Sequence, residues 1–299
     1  MKTITVFTPT YNRAFCLDQV YESLVRQTSK DFTWLIVDDG SSDNTKELVD
    51  SWGLEKKLEI QYVYQENKGM LGAHNTAHSV IGTELTICID SDDYMPGEGI
   101  EKILELWKLH RHDKTVAGLV GMDCYKDGKI IGDSFPESLP FITYREVNKI
   151  KGDKKYVYRT EVLKEFGPYP VVEGEKFPAQ GYLYRLIDSK YRLVPVNETF
   201  CVVEYLPDGN SFNKLKSYLK NPNGFAIHRL LLMETAESIP EKFRNAIHYV
   251  SSCLIAKKWK NIFTNKFKSV TIPAFPFGVV LYLYLRNRKD GAVNRNLNK

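Results

Sequence analysis

Cysteine is sparse and unpatterned in this chain. Cys16, Cys88, Cys124, Cys201 and Cys253 are odd in number, and none sits in a C-x-x-C pair. That spacing excludes a zinc ribbon and a disulfide framework. An excess of one charge is also missing. The 299 residues carry 41 basic and 37 acidic side chains, a net charge of +4. This is too mild for a nucleic-acid binder, so no nucleic-acid partner is expected. No apolar run reaches membrane-spanning length. The longest, "VTIPAFPFGVVLYLYL" at 270–285, has 16 residues. As a helix it would be about 24 Å long, against a hydrocarbon core of about 30 Å. Pro273 and Pro276 interrupt its first half. There are no internal repeats, no G-x-x-x-x-G-K-[ST] phosphate loop and no signal-peptide pattern ahead of "TITVFT". A reducing, cytoplasmic location is the expectation. What remains is ordinary globular composition, 43% hydrophobic and 26% charged, with length for a large core.

The first half alternates between two periodicities. Strand-like runs at 3–8, 32–39, 58–64 and 84–90 are separated by helix-like runs at 15–27, 44–52, 70–81 and 99–110. In the last of these, Ile100, Ile103, Leu104 and Trp107 share one face. Ser42 and Asp43 are the cap candidates for the second helix. This order predicts an α/β fold, a largely parallel sheet with helices on both faces. After 115 the pattern changes. Asp127-Gly128 between "VAGLVGMDCY" and "KIIGDSF" predicts a hairpin. A helix is expected near 158–166. The last 75 residues read as helical and Lys-rich, ending in a polar, unstructured tail at 286–299.

In an open α/β sheet, ligands bind outside the carboxyl ends of the strands. Three loops lie there: "TPTYNR" (8–13), "VDDGSSD" (37–43) and "DSDD" (90–93). Asp90, Asp92 and Asp93 fall within four residues. Two such charges about 4 Å apart repel by roughly 4 kcal/mol at an effective dielectric near 20, so the cluster needs solvent or a cation. Mg²⁺ or Mn²⁺ suits oxygen ligands of this kind. An EF-hand is excluded, because Tyr94 and Met95 occupy its fifth position and its obligatory glycine. His74 and His78, four residues apart, read as two helix-surface histidines. Gly69 and Gly72 in "NKGMLGAHNTA" open the third helix, whose N-terminus favours an anion.

The succession "TPTYNR … QTSKDFTWLIVDDGSSDNT … NKGMLGAHNTA … ELTICIDSDDYMPG" resembles the family 2 glycosyltransferases of GT-A fold, over roughly residues 3–125. Further similarity in "YRTEVLKEFGPYP", "EGEKF" and "VEYLPDGNS" resembles a bacterial surface-polysaccharide subgroup. The resemblance implies transfer of a sugar, with inversion, from a nucleoside diphosphate sugar, most simply a UDP-sugar, to an acceptor hydroxyl. It implies Asp92 as direct ligand of Mn²⁺ or Mg²⁺. Asp90 would face the ribose or the metal's waters, and Asp93 would join or support them. It places Asp39 on a uracil-type ring, Asp38 behind it and Tyr11 stacked beside the base. Pro9 and Thr10 shape that loop, and Arg13 reaches a phosphate. Asn67, Gly69, Asn75 and Ser91 complete the implied nucleotide set. Where many relatives carry arginine, this chain has His74.

An inverting transfer needs a base for the acceptor's proton. The matching region is "VVEGEKFPAQGYLYRLID" (171–188), with Glu175 and Glu173 as its carboxylates, which in an extended segment point to the same side. Gln180-Gly181 stands where many relatives have an acid. Residues 1–224 are expected to form the catalytic domain, with a nucleotide-binding half (1–114) and an acceptor half (115–224). Residues 225–299 are expected to be a helical region in which basic residues flank Trp259, Phe263, Phe275 and Phe277. That composition suits peripheral contact with the inner face of the cell membrane. The expected acceptor is a glycan or lipid-linked glycan, and an oligomer is compatible with the chain. Two other readings are a non-catalytic nucleotide-sugar binding module and a sugar nucleotidyltransferase.

Overall fold

The computed structural model describes residues 2–176, 179–204 and 214–296. The chain divides into two compact units, Met1–Tyr169 with Leu183–Leu206, and Pro170–Tyr182 with Pro207–Lys299. The expected boundary at 224 does not coincide with this division. Segment 170–182 goes with the helices because it is bonded to them. Lys176 N donates to Asn221 Oδ1 at 2.7 Å, and Glu175 accepts from Asn223 N and Gly224 N. Part of "VEYLPDGNS" lies outside the described residues.

The first unit is built on a seven-stranded sheet of order β3-β2-β1-β4-β6-β5-β7. Its strands are β1 (Ile4–Thr10), β2 (Phe32–Asp38), β3 (Ile60–Tyr64), β4 (Leu85–Cys88), β5 (Val116–Cys124), β6 (Lys154–Arg159) and β7 (Arg192–Val202). β3, β2, β1 and β4 run parallel; β6 is antiparallel to β4 and β5; β5 and β7 are parallel. Helices α1 (Ala14–Val25), α2 (Thr45–Glu55), α3 (Gly69–Val80) and α4 (Gly99–His110) alternate with the first strands. The period-2 pattern sends side chains to both faces. Ile4, Val6, Trp34 and Ile36 join one core with Leu17, Val20, Ile103 and Trp107 of α1 and α4. Phe7, Leu35 and Val37 join the other with Ala73 and Ala77 of α3. The remaining helices here are α5 (Tyr144–Val147), α6 (Thr160–Phe166) and α7 (Gly181–Ile187), the last crossing the division.

The hairpin expected at Asp127-Gly128 is reduced to its turn. Tyr125 N donates to Lys129 O at 2.9 Å, but only a single bridge, Cys124 to Ile130, follows. β7 takes one edge of β5 and β6 takes the other as far as Met122, so a returning strand can pair only with Asp123 and Cys124.

The second unit is helical: α8 (Lys214–Lys220), α9 (Pro222–Glu234), α10 (Ile239–Ile255), α11 (Asn261–Thr264), α12 (Lys268–Thr271) and α13 (Phe275–Asn296). Met233, Tyr249, Val250, Cys253, Ile262 and Ala274 form its core. The prolines of the apolar run fall between and at the start of α12 and α13, as their lack of an N–H requires. α13 continues through most of the tail read as unstructured. That tail has no proline to stop a helix. Among the described residues no helix is long and apolar enough to cross a membrane.

Candidate active site

Adjacent strands β2, β1 and β4 bring the three loops together at one sheet edge. The first two are laced to each other. Asn12 N donates to Ser41 Oγ at 2.9 Å, and Ser42 N donates to Asn12 Oδ1 at 2.7 Å. Asp43 Oδ2 accepts Ala14 N at 3.1 Å, which satisfies the start of α1. Its other oxygen takes Thr45 N and Thr45 Oγ1. These bonds outweigh its burial and hold its carboxyl below the usual range. Gly40 sits at φ +85°, where a Cβ would lie 3.0 Å from Asn67 N. Only glycine lets the second loop turn that close to the third.

Asp38 and Asp39 are both buried and both bonded within the protein. Asp38 accepts Ser41 N at 2.8 Å and the Tyr62 hydroxyl at 2.6 Å. Asp39 Oδ1 accepts Gln65 Nε2 at 2.6 Å and Lys68 N at 2.8 Å, while Oδ2 accepts Gly69 N at 2.7 Å. Asp39 thereby satisfies the N-terminus of α3 from another loop. A carboxylate has about four acceptor sites, so about one remains. Tyr11, which follows the Thr10 whose carbonyl accepts Asp39 N at 2.8 Å, is 48% exposed. Thr10 Oγ1 and Asn67 Oδ1 are buried polar atoms with no hydrogen-bond partner among the described residues.

The carboxylates after β4 divide into two kinds. Asp90 and Asp92 are half-buried; Ser91 and Asp93 are buried. Asp93 turns inward, with Oδ2 3.6 Å from Lys155 Nζ and Oδ1 accepting Glu204 N at 3.3 Å. Tyr94 fixes the end of the segment by exchanging bonds with Val202 of β7 at 3.0 and 2.7 Å. Burial pushes the Asp93 carboxyl up to about 7; Lys155 opposes this, and Asp90, Asp92 and Asp123 add to it. Asp123, at the end of β5, is raised to about 6 by burial, again against Lys155. Among the described residues, no group of three or more His, Cys, Asp or Glu could hold a metal ion. Asp90 and Asp92 supply two half-buried carboxylates, oxygen donors of the type that hard cations take.

Some expected site residues lie elsewhere. Asn75 exchanges two bonds with the backbone of Tyr169, at 3.0 and 2.8 Å, and so pins the chain after α6. His74 and His78 are buried, not on the helix surface. They pack around Tyr169, with ring centroids 5.7 and 5.9 Å away, and His74 also meets Phe7. The cause is periodicity: they follow Ala73 and Ala77 on the face of α3 that meets the sheet. Burial holds their pKa values down at about 4 and about 3. Glu173 and Glu175 belong to the second unit. They do not share the side of an extended segment, because Gly174 at φ +75° closes a turn in which Glu175 N donates to Val172 O. Glu173 is exposed. Glu175 accepts Asn223 N, Asn223 Nδ2 and Gly224 N at 2.6–2.9 Å, capping the start of α9. Sequence reasoning missed Lys155, Asp123 and Gln65. The signal for Lys155 was a lysine sharing a strand face with Val157, a core residue.

Residues 5–162 match the profile of "Glycosyl transferase family 2". The chain belongs to glycosyl transferase family 2. The chain is 33% identical over 209 residues to glycosyltransferase GlyG of Streptococcus pneumoniae, covering 65% of this chain and 68% of GlyG. It is 28% identical over 167 residues to glycosyltransferase GlyA of the same organism, covering 54% of this chain and 23% of GlyA. It covers 33% of an uncharacterized glycosyltransferase of Nostoc. The chain thus spans a third or less of those last two relatives. Among solved structures, Staphylococcus aureus TarS 1-349 in complex with UDP-GlcNAc superposes with a TM-score of 0.59 at 19% identity, over 95% of this chain and 81% of that one. Mannosyltransferase PcManGT of Pyrobaculum calidifontis, in complex with GDP-Man and Mn²⁺, gives 0.56 at 16% identity, over 94% and 87%. These likenesses show that the chain has the GT-A fold.

Proposed function

We propose that this glycosyltransferase transfers a sugar from a UDP-sugar to an acceptor hydroxyl, with inversion, in the synthesis of a bacterial surface glycan. The observation that carries the reading is that the Asp39 loop and the Asp90–Asp92 segment follow β2 and β4, the two strands that flank β1, at the same end of the parallel part of the sheet. Asp39 has about one acceptor site left for a base N–H, Tyr11 offers a ring to stack on it, and Arg13 lies on the same loop. Unsatisfied buried polar atoms at Thr10 and Asn67 mark an edge shaped for something besides folding. The UDP-GlcNAc named in the TarS complex supports a UDP donor.

Asp92, with Asp90, would hold Mn²⁺ or Mg²⁺, as the Mn²⁺ named in the PcManGT complex supports. The metal would neutralise charge developing on the leaving diphosphate. Ser91 is buried between these two carboxylates and shapes their turn. Gly69 N is committed to Asp39, so the third loop serves the site by fixing that carboxylate. Of the two acceptor-side glutamates, Glu175 is held as a helix cap, and exposed Glu173 keeps the role of base.

The acceptor would be a glycan or lipid-linked glycan at a membrane surface. In the second unit Trp259, Phe263, Ile272, Phe277, Val280 and Tyr284 are exposed. Exposed Lys257, Lys258, Lys260, Lys268 and Arg286 lie among them in sequence. Apolar area with basic charge suits an anionic lipid interface. Gln180 at the expected acidic position favours a second reading, a donor-binding module without turnover. Incubation with UDP-sugars and Mn²⁺ separates the two. Release of UDP in the presence of a glycan acceptor supports transfer; tight UDP-sugar binding with no release supports the module; neither rejects both.

A further inference from the structure

Lys155 occupies a position that a strand facing a core gives to an apolar residue. On β6 it shares a face with Val157, which is in the core, and with Arg159, whose guanidinium donates to the carbonyls of Arg111, Asp113 and Val116. Its side chain is 12% exposed and its ammonium lies 3.6 Å from Asp93 Oδ2. The preceding lysine points its charge elsewhere, since Lys154 Nζ donates to Lys151 O and Gly152 O. Asp93 is held from three directions, by Lys155, by Glu204 N and by the Cys201 thiol at 3.6 Å. Asp123 stands close by, 3% exposed, with Oδ1 unpartnered among the described residues.

We propose, on the metal-assisted reading above, that Lys155 is the resident counter-ion of the aspartate segment and a positioning residue for the reaction. By pairing with Asp93 it takes the third aspartate out of the cation-facing set, so that Asp90 and Asp92 alone are presented to the metal and the donor diphosphate. The pair keeps the segment assembled when no divalent cation is present. Removing one member of a buried pair leaves an uncompensated charge, whereas removing both does not. Burial works against the ammonium, and the neighbouring carboxylates of Asp123, Asp93 and Asp90 oppose this and shift its pKa upward.

The test is a double-mutant cycle on the full chain: Lys155→Met, Asp93→Asn, the two combined, and Lys155→Arg. Mn²⁺ binding is read by loss of the free-ion electron paramagnetic resonance signal, with and without UDP. Unfolding temperature is read in parallel. Each single neutralisation should weaken Mn²⁺ binding about tenfold or more. The combined variant and Lys155→Arg should return it to within about threefold of the unmodified chain. A purely structural pair would move the unfolding temperature and leave Mn²⁺ affinity unchanged, and that overturns the proposal. So does a combined variant as weak as the worse single one, since Asp93 would then be a ligand itself. An unmodified chain that binds no Mn²⁺ in either arm also overturns it. One that binds Mn²⁺ but not UDP overturns the UDP-donor reading and leaves the Lys155 cycle to be judged on Mn²⁺ alone.

Discussion

Replacing Asp39 by alanine should damage the fold and the donor site together, in separable amounts. Three donors lose their acceptor: Gln65 Nε2, Lys68 N and Gly69 N, at 2.6–2.8 Å. Hydrogen bonds to a charged group contribute about 1.5–3 kcal/mol each, and buried N–H groups left behind cost more than bonds never made. Water entering the truncated site recovers part of this, so about 4 kcal/mol is a fair expectation. For a unit of this size, 1 kcal/mol shifts the midpoint by about 2–4 °C, giving a drop of about 8–16 °C. Thermal unfolding followed by circular dichroism measures it. UDP affinity, by calorimetry below the lowered midpoint, should fall as well. Gln65→Leu is the control: it removes its bond to Asp39 and the one that Thr76 Oγ1 donates to Gln65 Oε1, costs about 2 kcal/mol and leaves the carboxylate in place, so UDP affinity should hold. An Asp39→Ala chain unfolding within about 2 °C of the parent would refute the reasoning.

Acid should expose the two buried histidines. Their folded pKa values, about 4 for His74 and about 3 for His78, lie below the unfolded value near 6.5. Their stabilisation is therefore complete above pH 6.5 and is lost as pH falls toward 4, by about 2 kcal/mol per histidine at pH 5. His74→Leu/His78→Leu should flatten that part of the acid-unfolding curve; an unchanged curve would show that other groups set it. Glu175→Gln should lower the midpoint by about 4–8 °C through the weakened α9 cap and keep turnover, while Glu173→Gln should lose turnover. The reverse result would return the base to Glu175. Phe277→Glu/Val280→Glu should release the chain from phosphatidylglycerol vesicles without unfolding it, as both are exposed. Deleting 261–299 is a poorer test, because Ile262 and Ala274 belong to the core of the helical unit. Retention of the double variant on vesicles would argue against the lipid surface.

Legibility followed the range of the interactions involved. β1 and β2 could be read because their alternation is local, and the strand-end rule then placed the three loops together. The failed hairpin shows where local chemistry stops. Asp127-Gly128 does make its turn, but whether a strand returns depends on β6 and β7 already flanking β5. His74 was misjudged because polarity was weighed above its phase on α3, beside Ala73 and Ala77. Glu173 and Glu175 were expected on one side because the extended rule was applied across Gly174, which breaks it. Asp39 was expected at a nucleobase; its bonds as acceptor for α3 were not legible. Lys68 and Gly69 are some thirty residues away, and only the fold makes them neighbours. Lys155 answers the charge problem of "DSDD" from about sixty residues downstream, a distance that no local pattern spans.

The most direct test of the central claim is UDP-sugar turnover by Asp92→Asn across an Mn²⁺ titration, beside the unmodified chain in excess EDTA. Asp92 is half-buried at the surface of its loop, so the variant should fold normally. If the Asp90–Asp92 segment holds the cation that stabilises the leaving diphosphate, turnover falls by about two or more orders of magnitude in Asp92→Asn and in EDTA. Added Mn²⁺ then restores the EDTA-treated parent and not the variant. Full turnover of Asp92→Asn, or of the parent in EDTA, would contradict the account.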